Sequence, residues 1–291
     1  ALVAAGILTV EITGDVESFV LTEKGHGLAP AIHALDEWSR RWDPAAVVDL
    51  PEAPDPPTGT IEMSVLDTFD LRVDGVSAEL SPGSQRLLVF LALRDRAIAR
   101  IALAGTMWPD VSEGHAGDSL RSAISRLEAP ARAAIRSSST GLRLDETVAI
   151  DLHDAQALAH RLTHSMEAGH DDVSAESVAL LSKELLPDWY DDWVLPEAED
   201  WRYLRMNALE ALARLLLEAG QLGEAATAAR AAMRIDPLRE SPQATLIRVQ
   251  LAMGNPAGAV DVLDRYRTIL DAAIGRAPTR QLSDLVADIE R

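Results

Sequence analysis

Apolar residues recur along this chain with two different spacings, and the change from one to the other marks out its parts. Leu120, Ile124 and Leu127 fall at i, i+4 and i+7, so they share one helical face that can bury against a core, while Ser122, Ser125 and Arg126 look the other way. Alternation marks the strands instead. Val10 and Ile12 alternate with Thr9, Glu11 and Thr13, Gly14 and Asp15 supply a turn, and Val16 to Leu21 return as a second strand. Before that hairpin, Leu2 to Gly6 read as the end of a helix. After it, Thr22 is a helix N-cap, and Leu28, Ile32, Leu35 and Trp38 make an apolar stripe.

Residues 44–60 interrupt both patterns. Pro44, Pro51, Pro54, Pro56 and Pro57 stand there with Asp49, Glu52 and Asp55, a composition that builds no core and reads as an extended linker. Residues 61–150 then predict three short strands (61–66, 69–73 and 76–80), with Asp74 and Gly75 as a two-residue turn. Ser81 and Pro82 open a helix packed by Leu87, Leu88, Phe90, Leu91 and Leu93. A shorter helix over 101–108, a turn over 110–117, a helix from Ser119 that stops at Pro130, and a hairpin over 135–137 and 141–144 complete this part.

From Leu152 onward helix follows helix: 152–168, 175–186, a Trp-rich joint over 185–201, then 203–219. A shift of 34 places superposes Leu212 on Leu246, Ala219 and Gly220 on Met253 and Gly254, and Ala225 on Ala259, the tetratricopeptide period of paired helices. The expected fold class is mainly α with a small β part, a winged helix-turn-helix domain followed by an α-helical tetratricopeptide-like array. Stacked pairs of this kind make a concave surface suited to binding proteins or to oligomerisation.

Charge sharpens the picture. The 291 residues carry a net charge of −19, yet residues 81–143 hold nine arginines against five acidic residues, so one basic island sits in an acidic protein. Serine hydroxyls and guanidinium groups on an outward helix face suit a major groove, because Ser reaches base edges and Arg forks onto guanine or phosphate. An amphipathic surface helix with a solvated Arg face is the plainer reading of the same pattern. For Arg121 it is an intramolecular ion pair with Asp118 or Glu128.

Composition removes several chemistries. With no cysteine there is no disulfide, thiolate nucleophile or cysteine-bound zinc, which suits a reducing cytoplasm. No Gly-rich run precedes Lys-Ser or Lys-Thr, so no phosphate loop is expected. His160 and His164 lie four apart without a third ligand nearby in sequence and read as solvated histidines. Asp191 and Asp192, beside Trp189 and Trp193, read as the solvated side of a packed corner. Neither catalysis, a cofactor nor a metal is expected. Apolar runs are broken by charge before about 18 residues, so no membrane span is expected, and no secretory signal is legible. The chain begins at Ala1 rather than Met, which reads as a fragment of a longer protein.

Several motifs in one order carry a family resemblance. "VDG" at 73–75, "LSPGSQRLLVFLAL" at 80–93, "LAGTMWPD" at 103–110, "DSLRSAISRL" at 118–127 and "TGLRL" at 140–144 resemble the OmpR/PhoB-type winged helix of SARP/AfsR bacterial regulators. "LLPDWYDDWV" at 185–194, "LRMNALEAL" at 204–212, "GQLGEAATAARAAMRIDPLRES" at 220–241 and "LAMGNPAGAVDVLDRYRTIL" at 251–270 resemble the bacterial transcriptional activator domain that follows it. Residues 1–43 resemble the back half of an HxlR-type winged helix, carried by "AAGIL" and "LTEKGHGLAPAIHALDEW".

The resemblance implies a cytoplasmic, nucleoid-associated activator that binds double-stranded DNA at promoter repeats as a homodimer and contacts RNA polymerase. It puts Arg126 at the groove-facing position and Arg143 at the wing, with Arg121, Ser122, Ser125 and Thr140 as further DNA contacts. Glu128, where such proteins carry Arg, Pro130, and the acidic Asp145 and Glu146 behind the wing depart from the pattern; so does 274–280, where a turn with different polar contacts replaces the family's "LG-E-PSPE". A degenerate winged helix acting as a protein-interaction scaffold is the alternative.

Overall fold

The computed structural model describes residues 8–13, 16–22, 59–94, 96–164 and 168–287. The chain divides into two compact units, Ala1–Ala53 and Pro54–Arg291. In the first, β1 (Leu8–Thr13) and β2 (Val16–Leu21) form an antiparallel hairpin running from Leu8 opposite Leu21 to Thr13 opposite Val16, the pairing that the alternation predicts. The expected helix end at 2–6, the Gly14–Asp15 turn, the stripe from Leu28 to Trp38 and nearly all of the 44–60 linker lie outside the described residues.

The second unit begins with a four-stranded sheet in the order β5 (Val76–Ser77), β4 (Asp70–Val73), β3 (Ile61–Ser64), β8 (Ala149–Ile150). Asp74 and Gly75 both have positive φ, 51° and 78°, which is the two-residue turn expected between β4 and β5. β8 pairs parallel to β3, so the chain returns to the first strand of this unit after four helices and a hairpin. Its two residues are too short for an alternating pattern, and sequence reading misses it.

Ser81 caps α1 (Pro82–Ala92), its hydroxyl accepting from the Ser84 amide at 3.3 Å, with Pro82 in the first turn where a missing N–H costs nothing. The Ser84 hydroxyl donates to the Ala123 carbonyl at 2.8 Å and so ties α1 to a later helix. α2 (Arg100–Met107) buries Leu103, Ala104 and Met107.

α3 (Glu113–Ser125) starts six residues before the expected Ser119 and buries Ala116, Leu120, Ala123 and Ile124. Gly114 and Gly117 each cost a helix roughly 1 kcal/mol, yet the helix runs through both, with Ala116 between them buried against the core. Pro130 does not stop α3; it sits in the first turn of α4 (Ala129–Ala133). The C-terminus of α3 is closed by Arg132, whose guanidinium donates to the carbonyls of Ser125 at 2.9 Å and Leu127 at 2.6 Å.

The hairpin β6 (Ile135–Ser138) and β7 (Gly141–Leu144) gains a third segment beside β7 that sequence reading misses. Ile98 bonds Leu142 in both directions, at 2.8 and 2.9 Å. The backbones come close enough there that a side chain at Gly141, whose φ is 142°, would overlap the Ile98 carbonyl. α1 packs against both α3 and β7, so one buried helix supports α3 and the hairpin alike.

The remaining helices are α5 (Asp151–Thr163), α6 (Ala175–Leu181), α7 (Leu195–Glu218), α8 (Leu222–Ile235), α9 (Glu240–Ala252), α10 (Pro256–Ile274) and α11 (Arg280–Asp284). α7 begins at Leu195, inside the expected Trp-rich joint, because Pro196 suits a first turn and Glu197 complements the helix dipole. α6 ends at Leu181, before the expected 186, since Leu185 leaves it to bridge Leu66.

The 34-residue repeat is visible in the backbone. Gly220 and Gly254 both take positive φ, 75° and 70°. The amides of Gln221 and Asn255 each bond the carbonyl five residues back at 2.9 Å, the same left-handed helix stop twice. In the turn at 274–280, Gly275 ends α10 at φ 64°, and the Thr279 hydroxyl caps α11.

Dense contacts join the sheet and first helices to this array. Phe90 and Trp193 meet edge to face with centroids 5.0 Å apart, and Phe69 lies 6.1 Å from Trp189. Arg86 pairs with Asp191 at 2.5 Å, and Arg94 pairs with Glu197 at 2.6 Å while its guanidinium lies 5.2 Å from the Phe90 centroid. Asp191 and Glu197 are therefore partners of arginines about a hundred residues away, which corrects the reading of Asp191 as plain solvated surface. Asp151 accepts the Val65 amide at 2.8 Å and the Leu66 amide at 3.3 Å, satisfying the end of β3. Burial pushes its carboxyl up in spite of those bonds.

Candidate nucleic-acid interface

The face of α3 opposite Ala116, Leu120, Ala123 and Ile124 leaves Arg121, Ser122, Ser125 and Arg126 exposed, as the spacing predicts. Their surroundings differ. Arg121 is held by Asp118 one turn earlier, the intramolecular pairing weighed for it in sequence. The Ser125 hydroxyl turns back to the Ser122 carbonyl at 3.1 Å. Arg126 is the C-cap residue of α3, exposed and without an ion pair among the described residues.

On the hairpin, Arg136 and Arg143 are cross-strand partners in the β6–β7 register. Two like charges directly opposite repel. Each is offset by its own carboxylate: Arg136 by Asp145, and Arg143 by Glu146 at 2.5 Å. Asp145 is buried. Burial pushes its carboxyl up, but the Thr147 hydroxyl and amide and the Arg136 guanidinium pull it further down, to about 2. Asp145 therefore does not face outward behind the hairpin as sequence suggests; it is the anchor of Arg136. Glu146 is exposed and holds Arg143.

Thr140 is exposed at the hairpin turn, its hydroxyl 2.8 Å from that of Ser138. Two arginines that sequence reading passed over support these elements: Arg132 closes α3, and Arg100 reaches the Ser137 hydroxyl at 2.6 Å from the start of α2. Neither carries a periodic signal, since their partners are set by the meeting of separate elements.

The histidine pair resolves locally: His164 Nδ1 lies 2.9 Å from the His160 carbonyl, at the end of α5. Among the described residues no three His, Asp or Glu side chains gather as a metal site would require, and no helix is long and apolar enough to cross a membrane.

A small sheet with four helices and a hairpin, set on a repeat array of paired helices, defines a helical-repeat protein with a compact α/β head. Residues 145–290 match the bacterial transcriptional activator domain, and the chain belongs to that family. The fold is similar to that of Mycobacterium tuberculosis EmbR, solved in complex with a low affinity phosphopeptide, with a TM-score of 0.57 and 21% identity over 80% of this chain. The chain spans 65% of the length of that structure. The sequence matches no curated protein.

Proposed function

We propose that this chain is a SARP/AfsR-type transcriptional activator in which residues 61–150 form an OmpR/PhoB-like winged helix that reads double-stranded DNA. Residues 151–291 are its oligomerising or partner-binding domain, and residues 1–43 a partial HxlR-like segment joined through the 44–60 linker. The observation that carries this reading is Arg126: an exposed guanidinium, without an ion pair among the described residues, at the end of an amphipathic helix that also exposes Arg121, Ser122 and Ser125. Such a group reaches guanine edges or phosphate. Arg143 and Thr140 on the hairpin serve phosphate or the minor groove. The protein works as a homodimer on promoter repeats and contacts RNA polymerase in the cytoplasm, at the nucleoid.

The experiment is a fluorescence-anisotropy titration against a pool of random duplexes at two salt concentrations, with sequencing of the bound fraction. Enrichment of direct repeats about one helical turn apart supports the reading. An unchanged affinity for the enriched duplex after Arg126→Ala plus Arg143→Ala sinks the groove assignment.

A specific observation favours a second reading, in which the head is a protein-binding module of a scaffold. Of the nine arginines in 81–143, five are held by the protein's own carboxylates: Arg86, Arg94, Arg121, Arg136 and Arg143. The basic island is largely neutralised from within. Absence of any salt-dependent DNA binding supports this reading.

A further inference from the structure

The 34-residue repeat superposes Arg214 of α7 on Arg248 of α9, so each is the same position in the first helix of successive helix pairs. Both are exposed, both lack an ion pair among the described residues, and both line one groove of about 360 Å³. The groove is completed by α11, whose Gln281 is exposed while Leu282 and Leu285, with Ala244 of α9, supply an apolar floor.

The other charged groups facing this space are already engaged. Glu210 pairs with Arg239 at 2.5 Å and accepts from the Ser241 hydroxyl at 2.8 Å. Glu240 accepts from the Thr279 amide at 3.1 Å and from its hydroxyl. The Thr245 hydroxyl donates to the Ser241 carbonyl at 3.2 Å. What the groove still offers is two guanidinium forks one repeat apart and the apolar Ala244 and Leu285 in the same lining.

We propose that this groove binds an acidic peptide segment of a partner protein, with Arg214 and Arg248 each taking a carboxylate and the Leu285–Ala244 strip taking an apolar side chain between them. Guanidinium groups match carboxylates in paired hydrogen bonds, and a fixed repeat spacing sets the register. A groove of this size admits a few side chains and no duplex. The proposal is independent of the DNA reading, since none of its residues lies in 61–150.

The test uses the full chain and two fluorescein-labelled peptides, one carrying Asp-Leu-Glu and one carrying Asn-Leu-Gln in the same frame, followed by anisotropy. Saturable binding of the acidic peptide is expected. It weakens by about tenfold or more in Arg214→Ala/Arg248→Ala and persists in Arg126→Ala/Arg143→Ala. The charge-reversed pair Arg214→Glu/Arg248→Glu is expected to prefer a Lys-Leu-Lys peptide. Circular dichroism of each variant confirms folding, which these exposed positions leave intact. The proposal is overturned if neither peptide binds, if the amide peptide binds equally well, if the double alanine variant keeps its affinity, or if an unlabelled duplex displaces the peptide.

Discussion

Phe90 of α1 and Trp193, just before α7, meet edge to face with ring centroids 5.0 Å apart, and this contact fastens the helix beneath the candidate DNA surface to the repeat array. Both residues are buried, and the ion pairs of Arg86 and Arg94 flank them. The head and the array therefore share a core.

Trp193→Ala is expected to cost about 3–5 kcal/mol through the cavity it leaves. Because the core is shared, the loss registers in both parts. Thermal unfolding followed by near-ultraviolet and far-ultraviolet circular dichroism would give one transition in the native protein. In the variant that transition falls as a whole; loss of the array signal alone would show that the halves are independent.

Glu146→Gln releases Arg143 from its pairing at 2.5 Å. If Arg143 serves phosphate, affinity for the selected duplex rises by roughly threefold to tenfold, and the salt dependence steepens by about one counterion. Asp118→Asn acts on Arg121 in the same direction. Anisotropy titrations across a salt series measure both; a fall in affinity with either variant would remove that arginine from the interface.

Gly141→Ala places a methyl group against the Ile98 carbonyl at a backbone φ of 142°. The Ile98–Leu142 rung and the hairpin then separate, with an expected destabilisation of more than about 2 kcal/mol. Hydrogen exchange at the Ile98 and Leu142 amides reports it directly. Native protection in the variant would contradict the close approach.

Asp145 has a folded-state carboxyl near 2, below the ordinary 3.8 of the unfolded chain. Its ionised form therefore stabilises the fold at higher pH, by about 2 kcal/mol, and this contribution is lost as pH falls from about 4 to 2. The raised carboxyl of Asp151 acts with the opposite sign, disfavouring the fold as it ionises on rising pH. Urea midpoints of Asp145→Asn are expected to be lower at neutral pH and flatter across the acid range than those of the native protein. Parallel curves would show that Asp145 carries no such linkage.

Short-range physics made much of this protein legible from its sequence. The turn at Asp74 and Gly75, the Ser81–Pro82 start of α1, the outward face of α3 and the repeat stop at Gly220 and Gly254 each depend on residues within one or two turns, so local spacing and capping chemistry determine them. The placement of Arg121, Ser122, Ser125 and Arg126 on one exposed face follows from the same periodicity.

What the sequence did not determine involves groups brought together from afar. β8 is a strand only because β3, nearly ninety residues earlier, supplies its partner. α3 runs through Gly114 and Gly117, and Ala116 between them is buried against the core. Arg86 and Arg94 belong to Asp191 and Glu197, and Asp145 to Arg136, because the folded backbone sets those side chains within bonding distance. Pattern along a chain encodes which face is buried; only packing decides what each face is buried against, and which charges remain free for a partner.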